Sequence, residues 1–272
     1  MCEHHEIKTA GGIALPQVHR RDVVRGLWTG TMLIGAASIA GCETVGQYLE
    51  PSDAQLMEMS AQAWAETKAE MPISKDAKAN ARLQSVGPKI ARAAGRPNDP
   101  WEFVVFASED KNAWVLPGGK VGFYKGLMDF CDNDDQVAAV LGHEVGHVIA
   151  RHAAKRAGQQ SASALGMSLG SYALGGRVSE QQKNAIMQVA GAGVTGLVIL
   201  PFSRDNETEA DRLGVDYMHT AGYDVKQSIK LWEKMGAASA SRNPEWMSTH
   251  PSPATRAVDL KNYINAKGYA KI

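Results

Sequence analysis

Several things are scarce in this sequence, and each scarcity removes a class of function. Acidic and basic residues balance at 29 each and no basic cluster stands out, so no field favours nucleic acid. There are three cysteines, Cys2, Cys42 and Cys131, with no C-x-x-C pair, so a disulfide framework is not indicated. Aromatics make up 7% while Ala and Gly are abundant, which suits closely packed helices better than a β-sandwich. Long apolar runs are missing too, since a spanning helix takes roughly 20 strongly apolar residues. Gly26–Ala40 is too short, and Ala185–Phe202 is diluted by Gln188, Thr195 and glycines. What is left fits one generous domain with an appendage in 272 residues.

The stretch the chain is organised around is Val140-Leu141-Gly142-His143-Glu144-Val145-Gly146-His147-Val148. Apolar residues recur at three and four, and proline is absent, so the pattern predicts one helix from Asp134 to Arg156. Two histidines four apart project from one face of a helix, one turn from each other. Both imidazoles can then reach one zinc ion at about 2.0–2.1 Å. Glu144 is one residue past His143, so its carboxylate can take a proton from a water held there without being a ligand itself. Buried among valines and leucines, such groups are expensive unless paired or metal-bound. H-E-x-x-H on a helix is the signature of a zinc peptidase.

The N-terminus reads as an address. Arg20-Arg21 precede the apolar Gly26–Ala40 run, and Ile39-Ala40-Gly41-Cys42 looks like the lipobox of bacterial lipoproteins. That resemblance implies a signal peptide over 1–41 and lipid on Cys42, with acyl chains anchoring the protein to a membrane. An uncleaved N-terminal anchor is the rival reading. Glu43 after the cysteine resembles the outer-membrane sorting pattern. Residues 42–52 form a tether, and 53–272 the domain.

Within that domain the periodicity predicts helices from about Ser52 or Asp53 to Glu70 and from Lys75 to Ala94. Strands are predicted at 101–107, 112–116 and 120–124, the last two joined by Pro117-Gly118-Gly119. A short helix over 126–130 then leads into the metal helix. The fold class is therefore α+β, mainly helical, with a small sheet beside the H-E-x-x-H helix. An edge strand can pair with an extended peptide, and Asn112–Val115 is the candidate edge. Gly158–Leu200, rich in small residues, reads as two helices over the active-site helix, and 254–266 as a final helix.

A catalytic zinc takes three protein ligands and an open position. The astacin-like extension is excluded, because Ile149 and Ala153 stand where glycine and histidine would be needed. Ser203-Arg204-Asp205-Asn206-Glu207-Thr208-Glu209-Ala210-Asp211 opens a later helix, with Asp205 or Asn206 as its cap. Glu207 and Asp211 share a face. Glu207 is the candidate third ligand, and Asp211 can accept the free N–H of a ligand histidine. Glu209 points elsewhere on the wheel and is the weaker candidate.

H-E-V-G-H, then S-R-x-x-E-x-x-A-D about sixty residues on, then His250-Pro251 with Arg256, together resemble the gluzincin zinc metallopeptidases over roughly 75–265. That family holds the HtpX-like proteases, the CAAX prenyl protease, the mitochondrial Oma-type protease and periplasmic quality-control proteases. The small periplasmic lipoprotein members are the most similar. The resemblance implies a zincin-type domain with one zinc at His143, His147 and Glu207 and with Glu144 as general base. It also implies that Asn112-Ala113-Trp114 belong to the substrate strand and that His250 lies near the metal. There His250 either stabilises the oxyanion or fills the open position as a latch. Arg256 pairs with a carboxylate near the site, or only caps and packs. His152, nine residues from His143 and half a turn off the metal face, is left out, as are His4, His5 and His219. The expected partners are unfolded or misassembled envelope proteins, met by a lipid-anchored enzyme in a bacterial periplasm; the alternative is an envelope chaperone with a latent zinc site.

Overall fold

Ser52 starts the first helix, α1 (Asp53–Glu70), through a capping box in which its side chain and that of Gln55 satisfy each other's backbone. The computed structural model describes residues 46–173, 202–239, 250 and 256–271. The expected signal peptide, the lipid site Cys42, the stretch 174–201 and most of the 247–253 loop lie outside the described residues. No described helix is long and apolar enough to cross a membrane.

Asp76 caps α2 (Ala77–Ala93) by accepting from the N–H groups of Lys78 and Ala79. Its buried stripe of Leu83, Val86 and Ile90 faces the core. Three strands follow, β1 (Glu102–Phe106), β2 (Ala113–Leu116) and β3 (Lys120–Tyr124), in the order β1-β3-β2. β1 runs parallel to β3 and β2 antiparallel to it, so β2 is an edge strand of this sheet. The tight link between β2 and β3 is a turn with Pro117 and Gly118 at its centre. Gly119 N donates to Leu116 O at 3.1 Å, and Gly118 has φ 82°, a value that favours glycine.

The short α3 (Lys125–Phe130) leads to α4 (Asp134–Ile149), capped by Asn133 through Gln136 N. Residues Gln136 to His147 of α4 are all buried, which makes this helix the axle of the fold. α2, β2 and α7 (Lys226–Ser239) pack on it, and α6 (Arg204–Thr220) makes its most extensive contact. α8 (Arg256–Lys267) closes over α6 and α7. Val137, Val140, Leu141, Leu83, Val121, Phe123, Met218 and Leu231 share one apolar core with these elements. Each such side chain, fully buried, contributes about 1.5–3 kcal/mol.

Two sequence expectations are corrected. The helix predicted over 134–156 is two helices, because Arg151 takes a left-handed φ of 57° and breaks it. α4 stops at Ile149, and α5 (His152–Ala173) begins after the break. The Arg151 guanidinium is engaged by Asp53 and by the Pro51 carbonyl, contacts that no local pattern reveals. The cap of α6 is Ser203, which accepts from Asn206 N at 3.2 Å, rather than Asp205 or Asn206. Arg204 is thus the first residue of the helix, and Glu207 sits within its first turns.

Candidate metal centre

The site is made where α4 and α6 touch backbone to backbone. A Cβ added to Gly142 would lie 2.8 Å from Gly214 O, one on Gly146 2.9 Å from Ala210 O, and one on Gly214 2.8 Å from His143 N. Only hydrogen fits at these three positions. The close approach brings the acidic face of α6 to the two histidines of α4.

Four side chains converge there, His143, His147, Glu207 and His250, all at most 5% exposed. His143 Nε2 lies 3.0 Å from His147 Nε2 and 3.2 Å from His250 Nδ1. Glu207 reaches His143 Nε2 at 3.5 Å, His147 Nε2 at 3.3 Å and His250 Nδ1 at 3.1 Å. Ligands of a tetrahedral zinc held at about 2.05 Å stand about 3.3 Å apart. The observed spacings bracket that edge length, so these residues fit one zinc ion.

Charge points the same way. Glu144, Glu207 and Asp211 are three buried carboxylates around the histidines, with the Arg256 guanidinium paired to Glu207 and Asp211, and this acidic surrounding suits a bound cation. In the metal-free protein burial alone would lower the pKa of His143, but its hydrogen bonds to Asp211 and Glu207 prevail and push it up to about 9. Burial holds His147 well below the ordinary histidine value. Burial opposes ionisation of Glu207, yet hydrogen bonds from His143, His147 and His250 keep it far below the usual carboxylate range.

The remaining edges of the rings are occupied. His143 Nδ1 meets Asp211 Oδ1 at 2.9 Å, and Asp211 is clamped by Arg256 through Nε at 2.7 Å and Nη2 at 2.5 Å. Arg256 Nη1 also reaches Glu207 Oε2 at 3.1 Å. The guanidinium thus ties α8 to both acidic residues of α6, and it lies 4.3 Å from the Trp232 ring centroid of α7. Glu144 Oε1 faces His250 Nε2 at 3.4 Å.

The sequence reasoning passed over three residues that the structure brings in. His147 Nδ1 contacts His152 Nδ1 at 2.9 Å, and His152 Nε2 contacts Glu209 Oε2 at 3.0 Å. Phe202 stacks on His147 with centroids 4.1 Å apart. On a continuous helix His152 would face away; the break at Arg151 turns it inward. Among the candidate strand residues, Ala113 joins the main core near α4, while Trp114 packs on the other side of the sheet. Its indole stacks on Phe106 at 5.7 Å and meets Tyr124 edge-on, in a cluster with Trp64 of α1. Asn112 contributes its carbonyl to Tyr124 N at 2.9 Å, ahead of the edge strand. The His219 ring stacks on Tyr269, away from the site.

Comparison with known proteins agrees with this geometry. The model of peptidase family M48 matches residues 77–264. The mitochondrial metalloendopeptidase OMA1 of Schizosaccharomyces pombe is 33% identical over 178 residues, covering 65% of this chain and 50% of that protein. The beta-barrel assembly-enhancing protease of Escherichia coli K12 is 31% identical over 228 residues, covering 82% of this chain and 45% of that protein. OMA1 of Saccharomyces cerevisiae is 34% identical over 173 residues, covering 60% and 47%. The chain spans about half the length of the curated relatives it matches. With a matched region that holds the H-E-x-x-H helix, the acidic helix and Arg256 alike, the chain belongs to peptidase family M48.

Proposed function

We infer that the chain is a zinc-dependent endopeptidase, with His143, His147 and Glu207 as metal ligands and Glu144 as general base. The observation that carries this reading is the tetrahedral spacing of the ligand atoms beside a buried carboxylate that is not among them. Bound zinc supplies Lewis acidity, polarising a peptide carbonyl and acidifying water at neutral pH. Glu144 accepts the proton of the attacking water and returns one to the leaving nitrogen. Asp211 holds His143 with its proton on Nδ1, so that Nε2 faces the metal, and Arg256 holds Asp211. The edge strand β2, next to α4, would pair with an extended peptide through the main chain of Ala113 and Val115, which the register turns away from β3; Asn112 and Trp114 flank Ala113 and direct their own main-chain groups to β3, and the Trp114 ring is packed away.

The substrates we propose are misfolded or misassembled proteins of a bacterial envelope, with the enzyme tethered by lipid on Cys42 in the periplasm, on the outer membrane. The lipobox-like sequence supports the anchor, and the similarity to the beta-barrel assembly-enhancing protease of Escherichia coli supports the envelope. His250 we read as a latch. Its Nδ1 lies 3.2 Å from His143 Nε2 and 3.1 Å from Glu207 Oε1, where it would compete with water or substrate for a bound metal, and its Nε2 lies 3.4 Å from Glu144 Oε1.

The test compares zinc content and casein cleavage in the parent, Glu144→Gln and His250→Ala. The reading expects one zinc per chain, cleavage by the parent, a zinc-loaded but inactive Glu144→Gln, and faster cleavage by His250→Ala. A parent without zinc sinks the metal centre. Unchanged envelope phenotypes with Glu144→Gln would favour the alternative, an envelope chaperone with a latent zinc site, and slower cleavage by His250→Ala would make that histidine an oxyanion stabiliser.

A further inference from the structure

Arg151 is the one non-glycine residue with positive φ among the described residues. A left-handed arginine is disfavoured, and such outliers persist where the surroundings impose them. What this one achieves is specific. It turns the chain between α4 and α5 so that His152, fully buried, lies edge to edge with a metal ligand. Beyond His152 lies Glu209, whose side chain is 52% exposed at the rim. The residues Glu209, His152 and His147 therefore form an unbroken polar line from solvent to the metal centre.

The protons on that line have one workable arrangement. Two neutral imidazoles carry two ring protons. Glu209, as a carboxylate, only accepts, so His152 must donate from Nε2. His152 Nδ1 is then a bare acceptor, and His147 must donate to it from Nδ1. His147 Nε2 is left without a proton, aimed at His143 Nε2 and Glu207, where a metal ligand needs to be. Reversing both rings would put a lone pair against the Glu209 carboxylate and a proton on the atom that has to bind metal.

We propose, resting on the zinc reading of the site, that His152 and Glu209 are positioning residues that fix the tautomer and ring plane of His147, as Asp211 and Arg256 do for His143. The two ligand histidines of α4 are thus held by different devices: a clamped carboxylate for the first, and a histidine–carboxylate line for the second. Phe202, stacked flat on His147, limits rotation out of that plane. The line ends at solvent. Glu209 borders a hollow of about 510 Å³ that it shares with Asp205, Thr208, Arg212, Leu213 and Tyr263. Water can therefore take over part of the role of Glu209, but not that of buried His152.

The test measures zinc affinity, by competition with a chromophoric chelator, in the full chain and in His152→Ala, His152→Gln and Glu209→Ala. Partners of this kind typically change metal affinity by about 10–100-fold. His152→Ala should fall in that range, and Glu209→Ala should lose less. His152→Gln, whose amide oxygen can accept from His147 Nδ1, should stay within about threefold of the parent, a rescue that a purely space-filling role would not give. If His152→Ala fails to fold, nitrogen-15 histidine spectra of the zinc-loaded parent decide alone: His152 should carry its proton on Nε2. The proposal is overturned if His152→Ala binds zinc like the parent, if His152→Gln is as weak as His152→Ala, or if His152 carries its proton on Nδ1. A parent that binds no zinc overturns the metal centre itself, and the two failures are told apart by that first titration.

Discussion

Replacing Gly214 with alanine tests whether the close approach of α4 and α6 is what assembles the site. The new methyl would sit 2.8 Å from His143 N and 2.9 Å from Gly142 C, both main-chain atoms that cannot swing aside. Carbon contacts relax at about 3.5–4.0 Å, so the helices must part by roughly half an ångström or more. Metal–ligand distances tolerate only about 0.2 Å. Glu207 rides on α6 and the histidines on α4, so the displacement falls on the bonds between them. Overpacking costs about 1–3 kcal/mol, offset in part by the roughly 1 kcal/mol that alanine gains over glycine in a helix. Stability should therefore drop modestly while zinc affinity drops at least about tenfold. Gly236→Ala is the control, because a Cβ there meets nothing within 4 Å and should raise stability by up to about 1 kcal/mol without touching zinc. Thermal unfolding with and without chelator, beside a chelator competition, reads both quantities. If Gly214→Ala gained stability as Gly236→Ala does and kept its zinc, the helix contact would not govern the site.

Three further outcomes are expected. Arg256→Ala strands Asp211 and Glu207 without their buried counter-charge and should cost about 3–5 kcal/mol in chelator-treated protein, read by thermal or urea unfolding; a loss below about 1 kcal/mol would contradict the clamp. Zinc must expel the proton that His143 holds up to about pH 9 in the metal-free protein. Affinity should therefore climb about tenfold per pH unit from 7 to 9 and level off above, with about one proton released at pH 7 in calorimetry across buffers; a flat profile over that window would refute the shift. Cys131 is buried, which pushes its thiol up to about 12. Iodoacetamide mapping of the native chain should leave it unmodified, and its labelling at the rate of a free thiol would show that the core around α3 opens.

Some of this was legible from residues alone. The H-E-x-x-H spacing and the Glu207–Asp211 spacing are helical geometry, and helical geometry is local. The Pro117-Gly118 turn and the alternation in β1 to β3 are local as well. What escaped depends on partners far away in the chain. The helix break at Arg151 arises from a backbone conformation arginine does not favour, imposed beside contacts to Asp53 and Pro51, and His152 and Glu209 could not be placed without it. Gly142 and Gly146 look like weak helix formers until α6 is laid against them, and then they are the only residues that fit. Asp205 and Asn206 are both good caps; Ser203 was preferred because the helix starts one residue after it. Trp114 falls in the strand as expected, yet the side its ring chose follows from the aromatic cluster under the sheet.

The clamp from Arg256 to His143 also sets a schedule. The two residues are 113 positions apart, and chains are synthesised at about 5–20 residues per second. The histidine-bearing helix therefore leaves the ribosome roughly 6–23 s before the arginine that steadies it, and Glu207 follows it at an intermediate time. During that interval His143 is in place without the residue that steadies it, and the finished geometry of the site waits on the last helix of the described chain.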